Sequence, residues 1–145
     1  MKALIQRVSQ AKVQVGDQTS GKIGPGLAAL IGVEKNDDTL KADKLLKRIL
    51  SYRVFYDDQG KMNLSLSDVG GGLLIVSQFT LAADTKSGTR AGFSTAKNPK
   101  DAQALYDHFV QQAQQLHNDV ATGVFGADMQ LTLTNDGPVT FLLEC

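Results

Sequence analysis

The chain has no tryptophan, two histidines and one cysteine, Cys145, its last residue. A single cysteine builds neither a disulfide framework nor a thiolate metal cage. There is no His-x-x-x-His or Cys-x-x-Cys pair, so no metal site and no cofactor are expected. Net charge is lacking too, with fifteen Lys plus Arg against fifteen Asp plus Glu. Holding nucleic acid by bulk charge scales with the phosphates neutralised, so that mode is disfavoured, whereas a local basic patch is not. No apolar run approaches the roughly 20 residues of a membrane helix, and Met1–Arg7 becomes polar too early for a signal peptide. Cytoplasm is the expected compartment, with no membrane association. Also missing are a phosphate-binding Gly-x-x-x-x-Gly-Lys-[Ser/Thr] loop and a Gly-x-Ser-x-Gly nucleophile elbow.

With 145 residues, 42% apolar and 21% charged, the chain suits one well-cored domain spanning 1–145. Residues 3–15 read as a strand, alternating cleanly from Ala11 to Val15. Gly16-Asp17 turns into a short strand over 20–23. Gly24-Pro25-Gly26 then leads to the apolar run 27–33, expected to be covered on both faces. Asp37, Asp38 and Thr39 offer caps for a helix whose apolar stripe is Ala42, Leu45, Leu46, Ile49 and Leu50. Strands are expected at 53–56, 61–66 and 73–81, with Gly70-Gly71-Gly72 as a flexible joint. Asn98-Pro99 starts a second long helix. Strands at 129–133 and 139–143, separated by an Asn-Asp-Gly-Pro turn, close the chain. The order is three strands, helix, three strands, helix, two strands. It predicts a mixed α+β fold in which a curved, largely antiparallel sheet forms a barrel-like core with two main helices packed on it.

Two segments carry unusual chemistry. Ser77-Gln78-Phe79-Thr80-Leu81 brings two hydroxyls, an amide and a phenyl ring off the end of an apolar strand, where polar groups are costly to bury without partners. Residue type alone favours Ser77 and Thr80 satisfying local backbone groups. The alternative is a small polar pocket, which both hydroxyls reach only if the strand bends or ends there. Asn135-Asp136-Gly137-Pro138-Val139-Thr140 is the second segment. Proline makes a cis bond cheap, yet an ordinary trans turn is favoured by frequency. Between them, residues 82–97 form a long aperiodic connection of the kind that is often functional. Lys86, Arg90, Lys97 and Lys100 gather there, and a solvated loop explains them as well as an anion site does. His108 and His117 both fall on the second long helix, away in sequence from the hydroxyls. Helix-surface roles are expected for them, and a Ser-His-Asp triad has little support.

Read together, the two segments resemble the paired signature motifs of the bacterial D-aminoacyl-tRNA deacylases. Leu4-Ile5-Gln6-Arg7-Val8, Gly32-Val33-Glu34-Lys35, Lys61-Met62-Asn63-Leu64, Ala82-Ala83-Asp84-Thr85 and Thr122–Met129 are similar to that family as well. One stretch departs from it. Members commonly carry Arg-Pro-Ser-Phe where this chain reads Arg90-Ala91-Gly92-Phe93, a change expected to loosen the loop.

The resemblance implies an ester hydrolase that removes D-amino acids, and glycine, from the 3′-terminal adenosine of tRNA. It implies a homodimer whose active sites straddle the subunit interface. Ser77, Gln78, Phe79 and Thr80 of one subunit would form the catalytic pocket. Gly137 and Pro138 of the other, with a cis bond, would project into it and select chirality. Substrate-binding roles extend to Arg7, Asn135, Met129 and Ala127, with Arg7 holding the turn. From spacing alone Arg7 would be a surface residue or an ion-pair partner. Lys86, Arg90 and Phe93 are candidates for docking the tRNA end. Two other readings stay open: a non-catalytic binder of RNA ends or nucleotides, and a protein-based esterase using Ser or Thr.

Overall fold

The computed structural model describes residues 1–145. Strand β1 (Lys2–Val15) is the spine of the fold. Ala3, Ile5, Val8, Ala11 and Val13 are buried, as is Arg7, while Ser9 and Gln10 are exposed and the other residues of the strand are half-buried. Strands β2 (Gln18–Ile23) and β3 (Gly26–Gly32) pair antiparallel with successive halves of β1. Helix α1 (Thr39–Ser51) starts at Asp38, whose side chain accepts the Lys41 N–H, and buries the predicted stripe from Ala42 to Leu50. A small hairpin, β4 (Phe55–Tyr56) with β5 (Met62–Leu64), follows.

Helix α2 (Leu66–Val69) occupies a stretch partly expected to be strand. Its first turn is fixed by a reciprocal cap in which the Ser65 hydroxyl accepts the Asp68 N–H and the Asp68 carboxylate accepts the Ser65 N–H. The Ser-x-x-Asp spacing was the available signal. Of the three glycines after it, Gly71 and Gly72 are packed and Gly70 faces open space. Gly70 caps α2 in the left-handed region, φ +64°, and a Cβ on Gly72 would lie 2.7 Å from that of Ile23.

Strand β6 (Gly72–Ser77) lies parallel to β3, and β7 (Val120–Thr122), which has no clear periodic signature, lies parallel to β6. Helix α3 (Pro99–Leu116) begins at the Asn98 cap with Pro99 in its first turn, as expected. Strand β8 (Gln130–Glu144) runs antiparallel along the other edge of β1. The sheet order is β2-β1-β3-β6-β7, with β8 on β1. Antiparallel pairings predominate, and the parallel arm β3-β6-β7 is the part that the turn chemistry did not reveal. The sheet curls until β2 meets β7, where a Cβ on Gly21 would lie 2.5 Å from the Thr122 carbonyl. Val8, Ala11, Val13, Ile23, Ala28, Leu74 and Val76 fill the inside of the curl. The larger core lies between its outer face and helices α1 and α3.

The histidines tie elements together. The His108 Nε2 lies 2.7 Å from Asp43 on α1, and the His117 Nε2 lies 2.6 Å from the Gly71 carbonyl. No helix is long and apolar enough to cross a membrane.

Candidate active site

Leu73–Val76 are buried on both faces of the sheet, so β6 is rigidly placed up to Ser77. There the strand stops, four residues earlier than its composition suggests. The Gln78 N–H donates to the Ile31 carbonyl at 2.8 Å, and residues Phe79–Ala82 wind into a 3₁₀ turn. Room for that turn comes from Gly32, since a Cβ there would lie 2.7 Å from that of Leu81. Ending the strand removes the face problem posed by alternation. The Gln78 side-chain amide now donates to the Thr80 hydroxyl at 2.6 Å, so Thr80 is held by a neutral donor and not by a base. As the first residues of a helical turn, Phe79 and Thr80 have N–H groups without intrahelical acceptors. No side chain caps them.

The long connection is organised. Asp84 and Gly92 exchange two main-chain hydrogen bonds, at 2.7 and 3.0 Å, closing residues 85–91 into a tip. The Thr95 hydroxyl donates to the Ala82 carbonyl, and Lys35 and Lys97 pair with Thr95 and Val33 through their main chains. The absent proline therefore does not leave this loop without anchors. It sets Phe93 against Phe79, ring centres 5.1 Å apart, with both rings largely exposed. Lys86 and Arg90 lie exposed on the tip.

A second wall comes from residues 123–129. The Gly123 N–H donates to the Ile75 carbonyl, which also accepts the Tyr106 hydroxyl at 3.0 Å. Burial pushes the Tyr106 phenol far above its usual range, with the nearby Asp107 charge adding to the effect, so it is a neutral donor. A Cβ on Gly123 would lie 2.7 Å from the Met129 sulfur and 3.5 Å from Val76. Met129 is thereby seated beside the residue preceding Ser77. Ala127 closes the turn, donating its N–H to the Val124 carbonyl. Tyr106 and Phe125 were not anticipated as supports of this wall. Tyr106 carries only the signal of a core aromatic in the helix stripe, and Phe125 only its place in the Thr122–Met129 stretch.

The Asn135–Thr140 segment is not a reversing turn between two strands. Gln6 pairs with Thr140 and Val8 with Asn135, so Asp136, Gly137, Pro138 and Val139 loop out opposite Arg7 from one continuous strand. Such a bulge re-aims the main chain without ending the pairing. The Gly137–Pro138 bond is cis. Gly137 has φ +130°, and a Cβ there would lie 2.7 Å from Val139 and 3.1 Å from the Arg7 guanidinium. Asn135 spans the base of the bulge, accepting the Val139 N–H at 2.9 Å and donating to the Thr140 hydroxyl at 2.8 Å. Gln6 donates to the same hydroxyl.

Arg7 is only 3% exposed, so of the two roles that spacing allowed it is the ion-pair partner and not the surface residue. Its Nε donates to the Asp136 carbonyl at 3.1 Å and lies 3.2 Å from the Asp136 carboxylate. Its Nη1 donates to the Val54 carbonyl at 2.6 Å. The Tyr56 ring, which no sequence pattern singled out, covers the guanidinium at 4.6 Å.

Within one chain no strand pairing and no hydrogen bond joins the two motifs. Arg7 aligns with Leu27 on β3 and, through it, with Leu73 on β6. Ser77 is four residues further along β6, and β6 is three strand steps from β8. Counted by strand rise and strand spacing, the path between them over the curled sheet is on the order of 20 Å.

The chain matches the family described as D-Tyr-tRNA(Tyr) deacylase over residues 4–144. It is similar to "D-aminoacyl-tRNA deacylase" of Stutzerimonas stutzeri (strain A1501), 60% identical over 144 residues and covering 99% of both chains. The protein of the same name from Pseudomonas fluorescens (strain SBW25) is 61% identical with the same coverage. Among solved structures, "c-Myc DNA Unwinding Element Binding Protein" aligns with TM-score 0.95 at 36% identity, over 100% of this chain and 99% of that one. "Structural Analysis of a probable eukaryotic D-amino acid tRNA deacylase" aligns with TM-score 0.87 at 17% identity, over 99% and 98%, and shows the shared fold. With a full-length match to the family and relatives at about this level of identity, the chain belongs to the D-Tyr-tRNA(Tyr) deacylase family.

Proposed function

We propose that this protein hydrolyses the ester joining a D-amino acid to the 3′-terminal adenosine of tRNA, in sites built by two copies of the chain. The observation that carries the reading is the abrupt end of β6. It presents the uncapped Phe79 and Thr80 N–H groups beside an exposed aromatic pair. The adenine stacks at Phe79 and Phe93, and Lys86 and Arg90 meet the adjoining phosphates. The ester carbonyl lies against the Phe79 and Thr80 N–H groups. Donors so fixed stabilise the oxyanion as it forms, without needing a charged side chain.

Water is the nucleophile. Thr80 is hydrogen-bonded by an amide that takes up no proton, so nothing on this chain activates it for covalent attack. The ribose 2′-hydroxyl assists proton transfer, the carbonyl–oxygen bond of the ester breaks, and free tRNA and the amino acid leave.

The Gly137–Pro138 bulge of the partner copy reaches the same pocket. This accounts for two separately braced elements that one chain keeps apart. The Gly137 carbonyl faces the amino acid, accepting its ammonium group and crowding an L side chain, while a D side chain points to open space. Discrimination comes from penalising the wrong substrate. Glycine has no side chain to exclude, so glycyl-tRNA is also cleaved.

A nucleic-acid-binding module without hydrolysis is the competing reading. It draws on the exposed Phe79–Phe93 pair and on the name of the 36% identical structural relative, which records DNA binding for that protein. Stacking on such rings is sequence-tolerant. One assay separates these readings: D- and L-tyrosyl-tRNA with and without the terminal 2′-hydroxyl. The expected result is release of D-tyrosine only, strongly reduced on the 2′-deoxy substrate, with Thr80→Ala slowed but active. Complete inactivity of Thr80→Ala with an acyl group trapped on the wild-type threonine would overturn the RNA-assisted mechanism. Binding without release would favour the module.

A further inference from the structure

Beyond the bulge, the solvent face of the β2-β1-β8 ribbon holds side chains that the proposed site does not use. Ala11 and Val13 point into the core, so Gln10, Lys12 and Gln14 share the opposite face. Register places Lys22 and Thr132 on either side of Lys12, Thr19 and Gln130 on either side of Gln14, and Thr134 beside Gln10. Every side chain in these rows is a hydrogen-bonding group, two are cationic and none is a carboxylate. The nearest acids in sequence lie off the rows, Asp17 at the β1–β2 turn, Asp128 just before β8, and Asp136 in the bulge, where Arg7 takes it.

Lys12 and Lys22 are direct cross-strand partners. Like charges so placed cost stability in a free protein. The two lysines, with Gln10, Thr132 and Thr134, line a cleft of about 200 Å³. Lysine, threonine and glutamine are among the groups that contact phosphate oxygens in protein–nucleic acid complexes. The face begins at Thr134, next to Asn135 at the foot of the bulge. Lys12 and Thr132 are only about 10–13 Å from the bulge at the rise of a β-strand.

Resting on the reading in which the bulge enters a partner's pocket, we infer that this face binds the RNA strand leading to that pocket, with Lys12 and Lys22 on its phosphates. A tRNA whose 3′ end occupies one protomer's site thus runs its backbone over the ribbon of the other protomer. The dimer then contributes to affinity as well as to chirality.

The test compares the wild type with the Lys12→Ala/Lys22→Ala double variant in two measurements. The first is binding of uncharged tRNA across a salt series. Loss of two phosphate contacts is expected to raise Kd about tenfold or more at low salt. The slope of log K against log salt should become shallower by roughly 1.4–1.8. The second is hydrolysis of D-tyrosyl-tRNA and of 3′-O-D-tyrosyl-adenosine, which has no phosphate. KM on the tRNA rises with kcat unchanged, and the nucleoside ester is cleaved as by wild type. Because a repulsive pair is removed, Tm should hold or rise.

Unchanged Kd, salt slope and KM would overturn the inference while leaving the hydrolase reading intact. So would an equal loss on both substrates, or dissociation of the dimer, which would place the face between copies. Because binding of uncharged tRNA needs no turnover, a wild type that binds but never hydrolyses would defeat the proposed function. The salt series would still decide the face.

Discussion

Gly137→Ala is expected to lower hydrolysis of D-tyrosyl-tRNA by on the order of 100-fold and to erase most of the preference for D over L. Two facts about position 137 drive this. Its φ of +130° lies where L side chains are strained, and the added methyl would meet Val139 at 2.7 Å and the Arg7 guanidinium at 3.1 Å. Neither neighbour is free to yield. Val139 is tied through its N–H to Asn135, and the Arg7 guanidinium is buried and fixed by its Nε and Nη1 bonds to Asp136 and Val54. The bulge itself must shift, and a displacement near 1 Å at a reacting centre can cost about 100-fold. A moved carbonyl no longer stands where an L side chain would go. The D- and L-substrate rates should therefore converge, read as kcat/KM on the two tyrosyl-tRNAs. An alanine variant with wild-type rate and wild-type D/L ratio would remove Gly137 from the selection.

Arg7→Met should produce the second-largest effect, on stability and discrimination together. Methionine keeps much of the buried stem but none of the donors. The Val54 carbonyl, buried at this contact, would be left unpaired, which costs about 1–3 kcal/mol. Losing the Asp136 ion pair adds less, because that carboxylate is more than half exposed. Chemical denaturation reads this part. The loss of the Asp136 clamp also lets the bulge sample other positions, so the D/L ratio should fall even at temperatures where the variant is folded. Arg7→Lys tests the geometry further. One ammonium cannot reproduce contacts made from separate nitrogens of the guanidinium to Asp136 and Val54, so it should rescue stability only partly. A variant as selective as wild type would show the bulge to be self-supporting.

Much of this was legible from residues because local chemistry and tertiary packing agree. Asp38 and Asn98 cap the helices their residue types announced, and the apolar stripe of α1 is the buried one. What escaped reading involves partners distant in sequence. β6 was drawn too long because Phe79–Leu81 have strand-like composition; the small space over Gly32 and the Ile31 carbonyl decide otherwise. Asn-Asp-Gly-Pro carries the composition of a reversing turn. Only the unbroken partnership of β8 with β1 makes it a bulge. No pattern in the strand around Arg7 reveals that Val54, Tyr56 and Asp136 converge on it. The two unusual segments stand out as motifs, but their places at the end of β6 and within β8 follow only from strand order and register.

Those two places lead to the most direct test, complementation between two defective subunits. One carries Gly137→Ala and the other Phe79→Pro, which removes a stacking ring and one of the two N–H groups proposed to hold the oxyanion, each nearly inactive alone on D-tyrosyl-tRNA. Co-expressed with different tags and purified as mixed dimers, they place both lesions in one site and none in the other. The account predicts activity near half that of the wild-type dimer, with full rejection of L-tyrosyl-tRNA. Mixed dimers no more active than their parents would contradict it, because each chain would then be using its own bulge and its own pocket.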